Sequence, residues 1–283
     1  MANNLATTKK QGIASYLGNE AVKNQITSII GEKATPTFIS SIVSAVQTNP
    51  ALAECTNSSI LSGALLGESL HLTPSPQLGE MYLVPFENRS KGCKEATFQL
   101  GYKGMIQLAI RSGQYKRIVA SEVKEGEIAG YNPLTEEFVI NPIMDIAKRK
   151  EMPTVGYYAM FELVNGYRKE LYWTKDEMEN HAITYSKGYK AKKGYTFWEK
   201  NFDAMAKKTM LRQLISKWGV MSAELQTGYL ADQSVVREDG SYDYVDNKPD
   251  AKLEAETNIE ESVAAEVFDV EAVEVENEEK KQA

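Results

Sequence analysis

The sequence predicts an α+β fold, in which helices flank antiparallel strands. Helical patterns come first, strand patterns occupy the middle, and helical patterns return later, an order that disfavours a doubly wound parallel sheet. Two strand runs surround Asn165–Gly166 in TVGYYAMFELVNGYRKELYW, and this dipeptide between apolar runs is the strongest short-range hairpin signal. The segment WEKNFDAMAKKTMLRQLISKW is typical of one long amphipathic helix. We find no internal repeat.

The first third of the chain predicts two helices followed by a strand. Residues up to about Gly18 are expected to be frayed. TPTFISSIVSAV begins with a cap-like Thr35 and has Pro36 at the first helical position, and its apolar residues recur every four positions. SSILSGALLGESL predicts a second helix, which the prolines of LTPSPQLGEMYLVPF end, and Met81 to Phe86 predicts a strand.

The next strand, ATFQLGY, leads into LGYKGMIQLAIRSG, a short helix that begins at a glycine-flanked turn. Such a turn can hold an anion, because backbone N–H groups and the helix dipole point outward there. In the alternative interpretation, Gly101 and Gly104 only shape the turn and Gly113 ends the helix. YKRIVASEVKEGE alternates as strands do, and Thr174 with Glu177 predicts a capping box for a further helix.

The net charge of −7 conceals a separation of charge along the chain. Residues 232–283 contain 17 acidic and 5 basic residues, which leaves 27 basic and 22 acidic residues in residues 1–231. The mildly basic body suggests an anionic partner. Beyond about Ala231, alternating Glu, Val and Ala with few aromatics predict a disordered acidic tail. We therefore divide the chain into a core, residues 1–231, and a tail, residues 232–283. The tail is expected to compete with the anionic partner for its binding surface, and the alternative is that it serves as a docking arm for other proteins or as a solubiliser.

Several classes of protein lack support in the sequence. No apolar run approaches the roughly 20 residues that span a bilayer, and the N-terminus has no apolar signal segment. Cys55 and Cys93 have no CxxC spacing, which suits a reducing cytoplasm. His71 and His181 lie in no metal-ligand pattern.

The common catalytic motifs are also absent. The chain contains no GxxxxGK[ST] sequence of a P-loop ATPase, no GxSxG and no HExxH. EVKEGE places Glu122 and Glu127 near one another, and a metal-dependent nuclease acting on DNA ends stays open as the alternative function, although such carboxylates are more often ordinary surface charge.

Two basic segments predict a nucleic-acid surface. The first combines the turn with nearby cations: Gly101, Tyr102, Lys103, Gly104, Arg111, Lys116, Arg117 and Lys124. The second interleaves lysines with tyrosines and continues into the long helix: Lys187, Lys190, Lys192, Lys193, Lys200, Lys207, Lys208 and Arg212. GYKG also matches the GxxG loop of KH domains. Together the segments would line two walls of a groove that holds DNA by its backbone without reading base identity. The alternative is a solvated surface.

Three stretches, LGYKGMIQLAIRSGQYKRIVASEVKEGE, GEMYLVPF and WEKNFDAMAKKTMLRQL, closely resemble the RecT family of phage and prophage single-strand annealing proteins. The resemblance covers about Thr37 to Ala231. It implies a central antiparallel sheet packed by helices, related to annealing proteins such as Red-beta. It also implies an ATP-independent recombinase that coats single-stranded DNA and anneals complementary strands as rings or helical filaments.

The same resemblance implies a setting and partners. The protein is expected in the cytoplasm of a bacterial host, beside a partner exonuclease and the host single-strand binding protein. No catalytic residue and no cofactor are expected, although a divalent cation is expected to modulate annealing. The basic residues named above are the positions on which the family's DNA groove is expected.

Overall fold

The computed structural model of the chain describes residues 11–75, 77–132, 134–135, 137–194 and 196–244, with Lys187 described by its backbone only. The predicted disorder of residues 245–283 and the predicted fraying of residues 1–10 lie outside the described residues. Among the described residues, no helix combines the length and the apolar character needed to cross a membrane.

A layer of N-terminal helices covers one side of the core. Its elements are α1 (Ile13–Leu17), α2 (Glu20–Ile30), α3 (Thr35–Thr48), a 3-10 helix (Pro50–Glu54) and α4 (Asn57–Ser69). The predicted fraying up to Gly18 is wrong for the described residues, because Ile13 and Leu17 are buried in the core. The capping role of Thr35 is also wrong, because Ala34 precedes the helix and the Thr35 hydroxyl donates backward to the Gly31 carbonyl oxygen, 2.8 Å away.

The strands form three antiparallel sheets. The first has the order β1 (Met81–Asn88), β2 (Cys93–Leu100), β8 (Ser234–Val236) and β9 (Tyr242–Tyr244). The second has the order β3 (Tyr115–Lys124), β6 (Thr154–Leu163) and β7 (Arg168–Thr174), and the third pairs β4 (Ile128–Asn132) with β5 (Glu137–Ile140). Every pairing between these strands is antiparallel. The predicted fold class, antiparallel sheet packed by helices, is confirmed.

The remaining helices are α5 (Tyr102–Arg111), α6 (Ile146–Glu151), α7 (Lys175–Tyr185), α8 (Lys187–Lys190), α9 (Phe197–Lys200), α10 (Phe202–Trp218) and α11 (Ala223–Ala231). The single long helix predicted from Trp198 is therefore two helices. Asn201 separates them in a non-helical conformation with φ −152° and ψ 67°, and its side chain accepts a hydrogen bond from the Ala204 N–H as the N-cap of α10. A side-chain cap of this kind favours a new helix start over continuation of the old helix.

Two local predictions are confirmed. The β6–β7 hairpin turns at Asn165–Gly166, where Gly166 adopts φ 89° and supplies the left-handed conformation that the turn requires. The capping box of α7 makes both reciprocal bonds: the Glu177 N–H donates to the Thr174 hydroxyl at 3.2 Å, and the Thr174 N–H donates to the Glu177 carboxylate at 2.7 Å.

The main core lies where α4, β1, β2, α5 and α10 pack together. Fully buried Met81, Phe98, Met105 and Leu214 come from four of these elements. Helix α4 approaches the first sheet closely, since a β-carbon at Gly67 would lie 2.1 Å from the Met81 sulfur. Helix α10 contacts α5 and all three strands of the second sheet, so it connects the first basic segment to the second.

The end of the core lies later than the sequence predicted. Residues 232–244, assigned to the tail by composition, add β8 and β9 to the first sheet, and Val235 is buried. Ser234 pairs with Phe98 of β2. The composition of residues 232–283 is dominated by acidic residues, so it did not indicate this short apolar strand.

Candidate nucleic-acid interface

The turn that carries Lys103 is the first turn of a helix. Gly101 is the N-cap of α5, and Gly104 lies buried inside the helix. β-Carbons at these two positions would each lie 2.1 Å from a carbonyl oxygen, that of Gly79 for Gly101 and that of Glu80 for Gly104. Glycine is required at both positions because the helix start packs directly on the backbone of another turn. GYKG matches the GxxG pattern of KH domains in sequence, and in this fold it joins β2 to α5.

The N-terminus of α5 is electrically positive. Gly101 offers no side-chain cap, and the described first turn contains no acidic residue. Lys103 lies in this turn with its side chain exposed. The partial positive charge of a helix N-terminus and a lysine beside it favour an anion in the same place.

Tyr82 lies near both Lys103 of the first basic segment and Phe197 of α9, within the second. The Tyr82 hydroxyl and the Lys103 side chain both flank Gly79, where a β-carbon would lie 3.0 Å from the hydroxyl and 3.5 Å from Lys103 Cδ. The ring of Phe197 also lies near Tyr82, with 6.1 Å between the two ring centroids. Burial raises the pKa of Tyr82, and nearby Tyr102 adds to the effect, so Tyr82 remains a neutral phenol at physiological pH.

The lysines between α8 and α10 lie on a segment that aromatic packing and a capping box hold in place. The ring of Tyr189 lies 6.2 Å from that of buried Trp198, which packs edge-on against Phe202 at 5.2 Å. The carboxylate of Glu199 accepts a hydrogen bond from the Gly194 N–H at 2.8 Å and closes a capping box with Thr196. Four lysines of this segment are exposed, namely Lys190, Lys192, Lys193 and Lys200.

These four lysines and Lys103 form no ion pair with another described residue. They are therefore exposed cations grouped around the α5 start and the α8–α9 segment. The side chain of Lys187, predicted to belong to the same group, lies outside the described residues.

Other predicted basic residues have partners within the chain. Lys116 pairs with Glu162 at 2.5 Å and Lys207 with Glu122 at 2.8 Å, both through Nζ. The Lys124 ammonium donates to the Thr154 hydroxyl at 2.8 Å, and Arg111 donates to the Leu70 carbonyl oxygen at 2.8 Å, beside the end of α4. Arg117 is exposed on β3. The first predicted segment thus separates into an exposed turn, the exposed Arg117, and three cations that connect elements of the fold, Arg111, Lys116 and Lys124.

Lys208 and Arg212 share a face of α10, as their spacing predicted, but that face is largely internal. The Asp232 carboxylate is fully buried and accepts from Lys208 Nζ at 3.1 Å and from Arg212 Nη1 at 2.7 Å. Burial lowers the pKa of Lys208, while Asp232 acts in the opposite direction. The predicted exposure of Lys208 to DNA is therefore corrected: its ammonium group belongs to the interior. The helical spacing identifies a shared face but not what packs on it.

Comparison with known proteins identifies the family. The model of the RecT family matches residues 36–250. This chain belongs to the RecT family. Uncharacterized protein YqaK of Bacillus subtilis (strain 168) is 37% identical over 246 residues, which cover 85% of this chain and 81% of that protein. Protein RecT of Escherichia coli (strain K12) is 29% identical over 257 residues, which cover 86% of this chain and 91% of that protein.

The structure brings together the three stretches that carry the RecT resemblance. GEMYLVPF contains Tyr82, LGYKGMIQLAIRSG contains Lys103, and WEKNFDAMAKKTMLRQL begins within α9, next to Phe197. The RecT family match also includes β8 and β9, in agreement with a core that extends past Ala231.

Sequence reasoning missed two features of the surface. The alternation of MYLVPF indicates that Tyr82 faces away from buried Met81 and Leu83, but nothing in the pattern indicates what lies opposite. The short basic run of α6 was also overlooked, and it exposes Lys148 and Lys150.

The acidic residues considered for a nuclease have basic partners in the structure. Glu122 pairs with Lys207, and Glu127 pairs with Arg149 at 2.6 Å. Burial acts to raise the pKa of Glu127, but hydrogen bonds from Arg149 and from the Lys124 and Ile143 N–H groups lower it overall. In the described part of the chain, no group of three or more His, Cys, Asp or Glu side chains could hold a metal ion.

Proposed function

We propose that this RecT-family protein binds single-stranded DNA by its phosphate backbone and anneals complementary strands in homologous recombination without ATP. Family membership supports DNA binding and strand annealing in general terms. The observation that carries the proposal is that Tyr82 lies near both Lys103, at the positive end of α5, and Phe197 of the lysine-rich α8–α9 segment.

Exposed lysines grip a strand through phosphate and displace its counterions. Neutralising one strand removes the repulsion that opposes the approach of its complement. The Watson–Crick edges remain free, because phosphate contacts carry no sequence information. Base pairing then checks the sequence and supplies the driving free energy, so that annealing requires neither nucleotide hydrolysis nor a catalytic residue.

The proposal includes self-association and partners. A long strand extends beyond one chain, and a row of copies in rings or filaments would hold it continuously. An exonuclease would expose the strand, and the host single-strand binding protein would occupy it beforehand. No cofactor is needed for these steps, while a divalent cation would modulate annealing by screening phosphates.

Annealing of labelled complementary strands in EDTA, without nucleotide, tests the proposal. We expect faster duplex formation with the protein, full-length strands throughout, and no product from non-complementary strands. Metal-dependent loss of full-length strand would instead favour a nuclease. Protection of strands without faster annealing would reduce the function to coating.

A further inference from the structure

We infer that Tyr82 and Phe197 form a stacking site for one unpaired nucleobase, beside the phosphate that Lys103 holds. This inference rests on the proposed function and deepens it, because it assigns a contact to a base as well as to the backbone. Its occupant is a base of single-stranded DNA, since bases within a duplex are already stacked on both faces.

The geometry leaves an aromatic surface open. Tyr82 lies on the face of β1 opposite buried Met81 and Leu83 and is half-buried. Phe197 is 49% exposed, and its ring is tilted by 42° from that of Tyr82 with 6.1 Å between centroids. The two rings are tilted and not stacked face to face, and the exposed part of the Phe197 ring is available for stacking.

The exposure of Phe197 contrasts with that of its aromatic neighbours. Trp198 is buried in the same short helix, and Tyr189 and Phe202 pack against it. Thr196 and Glu199 fix the backbone on both sides of Phe197 through their capping box. An aromatic ring on a fixed backbone loses little conformational entropy when a flat partner stacks on it.

Charge complementarity selects a nucleic acid as the partner. The Lys103 side chain lies beside Gly79, as the Tyr82 hydroxyl does, and exposed Lys200 lies one helical turn from Phe197. Aromatic rings flanked by cations are the arrangement by which proteins hold single strands, with stacking that tolerates any base. Stacking uses the face of a base and leaves its pairing edge free, which is compatible with annealing.

Comparison of an oligothymidylate with an abasic strand of the same length separates base contacts from phosphate contacts. We expect wild-type protein to bind the abasic strand at least about fivefold more weakly. Phe197→Leu retains apolar volume but lacks a ring, and we expect it to lose about fivefold on the normal strand and little on the abasic strand. Phe197→Trp keeps an aromatic ring and should retain the wild-type difference in affinity between the normal and the abasic strand. Tyr131→Leu, at a 51% exposed tyrosine on β4, is the control and should leave that difference unchanged.

A second readout reports stacking directly. Quenching of 2-aminopurine in the bound strand should be strong for the wild type and weak for Phe197→Leu and Tyr82→Leu. If both leucine variants keep the wild-type ratio of affinities for the normal and the abasic strand, the stacking site is overturned and phosphate binding stands. Wild-type protein that binds neither strand would overturn the proposed function and this inference together.

Discussion

The buried carboxylate of Asp232 accepts a hydrogen bond from the backbone N–H of Leu100, with 2.9 Å between the heavy atoms. Leu100 ends β2 immediately before the N-cap of α5, so this bond attaches the C-terminal part of the core to the start of the Lys103 helix. The same carboxylate faces Lys208 and Arg212. One acidic residue thus supports the position of the candidate phosphate site.

We expect Asp232→Ala to lower the free energy of unfolding by about 3 kcal/mol or more, because it leaves two partly or fully buried cations uncompensated. Lys208→Met is the matched control: it keeps the stem volume and leaves Asp232 paired with Arg212, so its cost should stay below about 1.5 kcal/mol. Urea unfolding of both variants checks the order. A larger cost for Lys208→Met would contradict the assigned charge balance.

Truncation distinguishes the core from the tail. A chain ending after Ala231 loses Asp232, β8 and β9 and should melt at a lower temperature than the full chain. A chain ending after Tyr244 keeps these elements and should melt as the full chain does.

Removal of the acidic residues beyond Tyr244 should raise DNA affinity, most strongly at low salt, where electrostatic attraction reaches furthest. Fluorescence anisotropy on a labelled strand tests this, and unchanged affinity would exclude competition by the tail.

Binding to single strands should weaken steeply with salt, because most of the proposed contacts are to phosphate, and it should vary little with sequence, because the proposed stacking tolerates any base. Lys103→Ala should lower affinity, reduce the slope of log K against log salt by about one or less, and leave the melting temperature unchanged. Lys23→Ala, at an exposed lysine of α2, is the control and should change neither quantity. Equal slopes for wild type and Lys103→Ala would remove Lys103 from the interface.

The Glu127–Arg149 pair should make a pH-dependent contribution to stability. The pKa of Glu127 in the folded chain lies below its ordinary value of 4.5, so the contribution is present above that value and is lost as the pH falls through the lower pKa. Glu127→Gln should therefore destabilise the protein at neutral pH and approach the wild type in acid. Unfolding at several pH values measures this difference, and a constant difference would refute the assignment.

Local patterns account for much of the fold. The Asn165–Gly166 turn, the Thr174–Glu177 capping box and the alternating strand β1 each depend on residues within a few positions of one another. Backbone sterics and short-range hydrogen bonds act over that distance, so the sequence predicted them directly. Even the interruption at Asn201, which we missed, depends on a local cap.

For the candidate site, the sequence by itself determined which residues are cationic and which share a helix face or strand face. Lys103, Lys190 and Lys192 are exposed, and their contact with DNA stays a prediction. Only the tertiary structure decided that Lys208 lies inside against Asp232, and that Tyr82 lies near both Phe197 and Lys103. Burial and pairing depend on which distant segments pack together, and no spacing along the chain encodes that choice by itself.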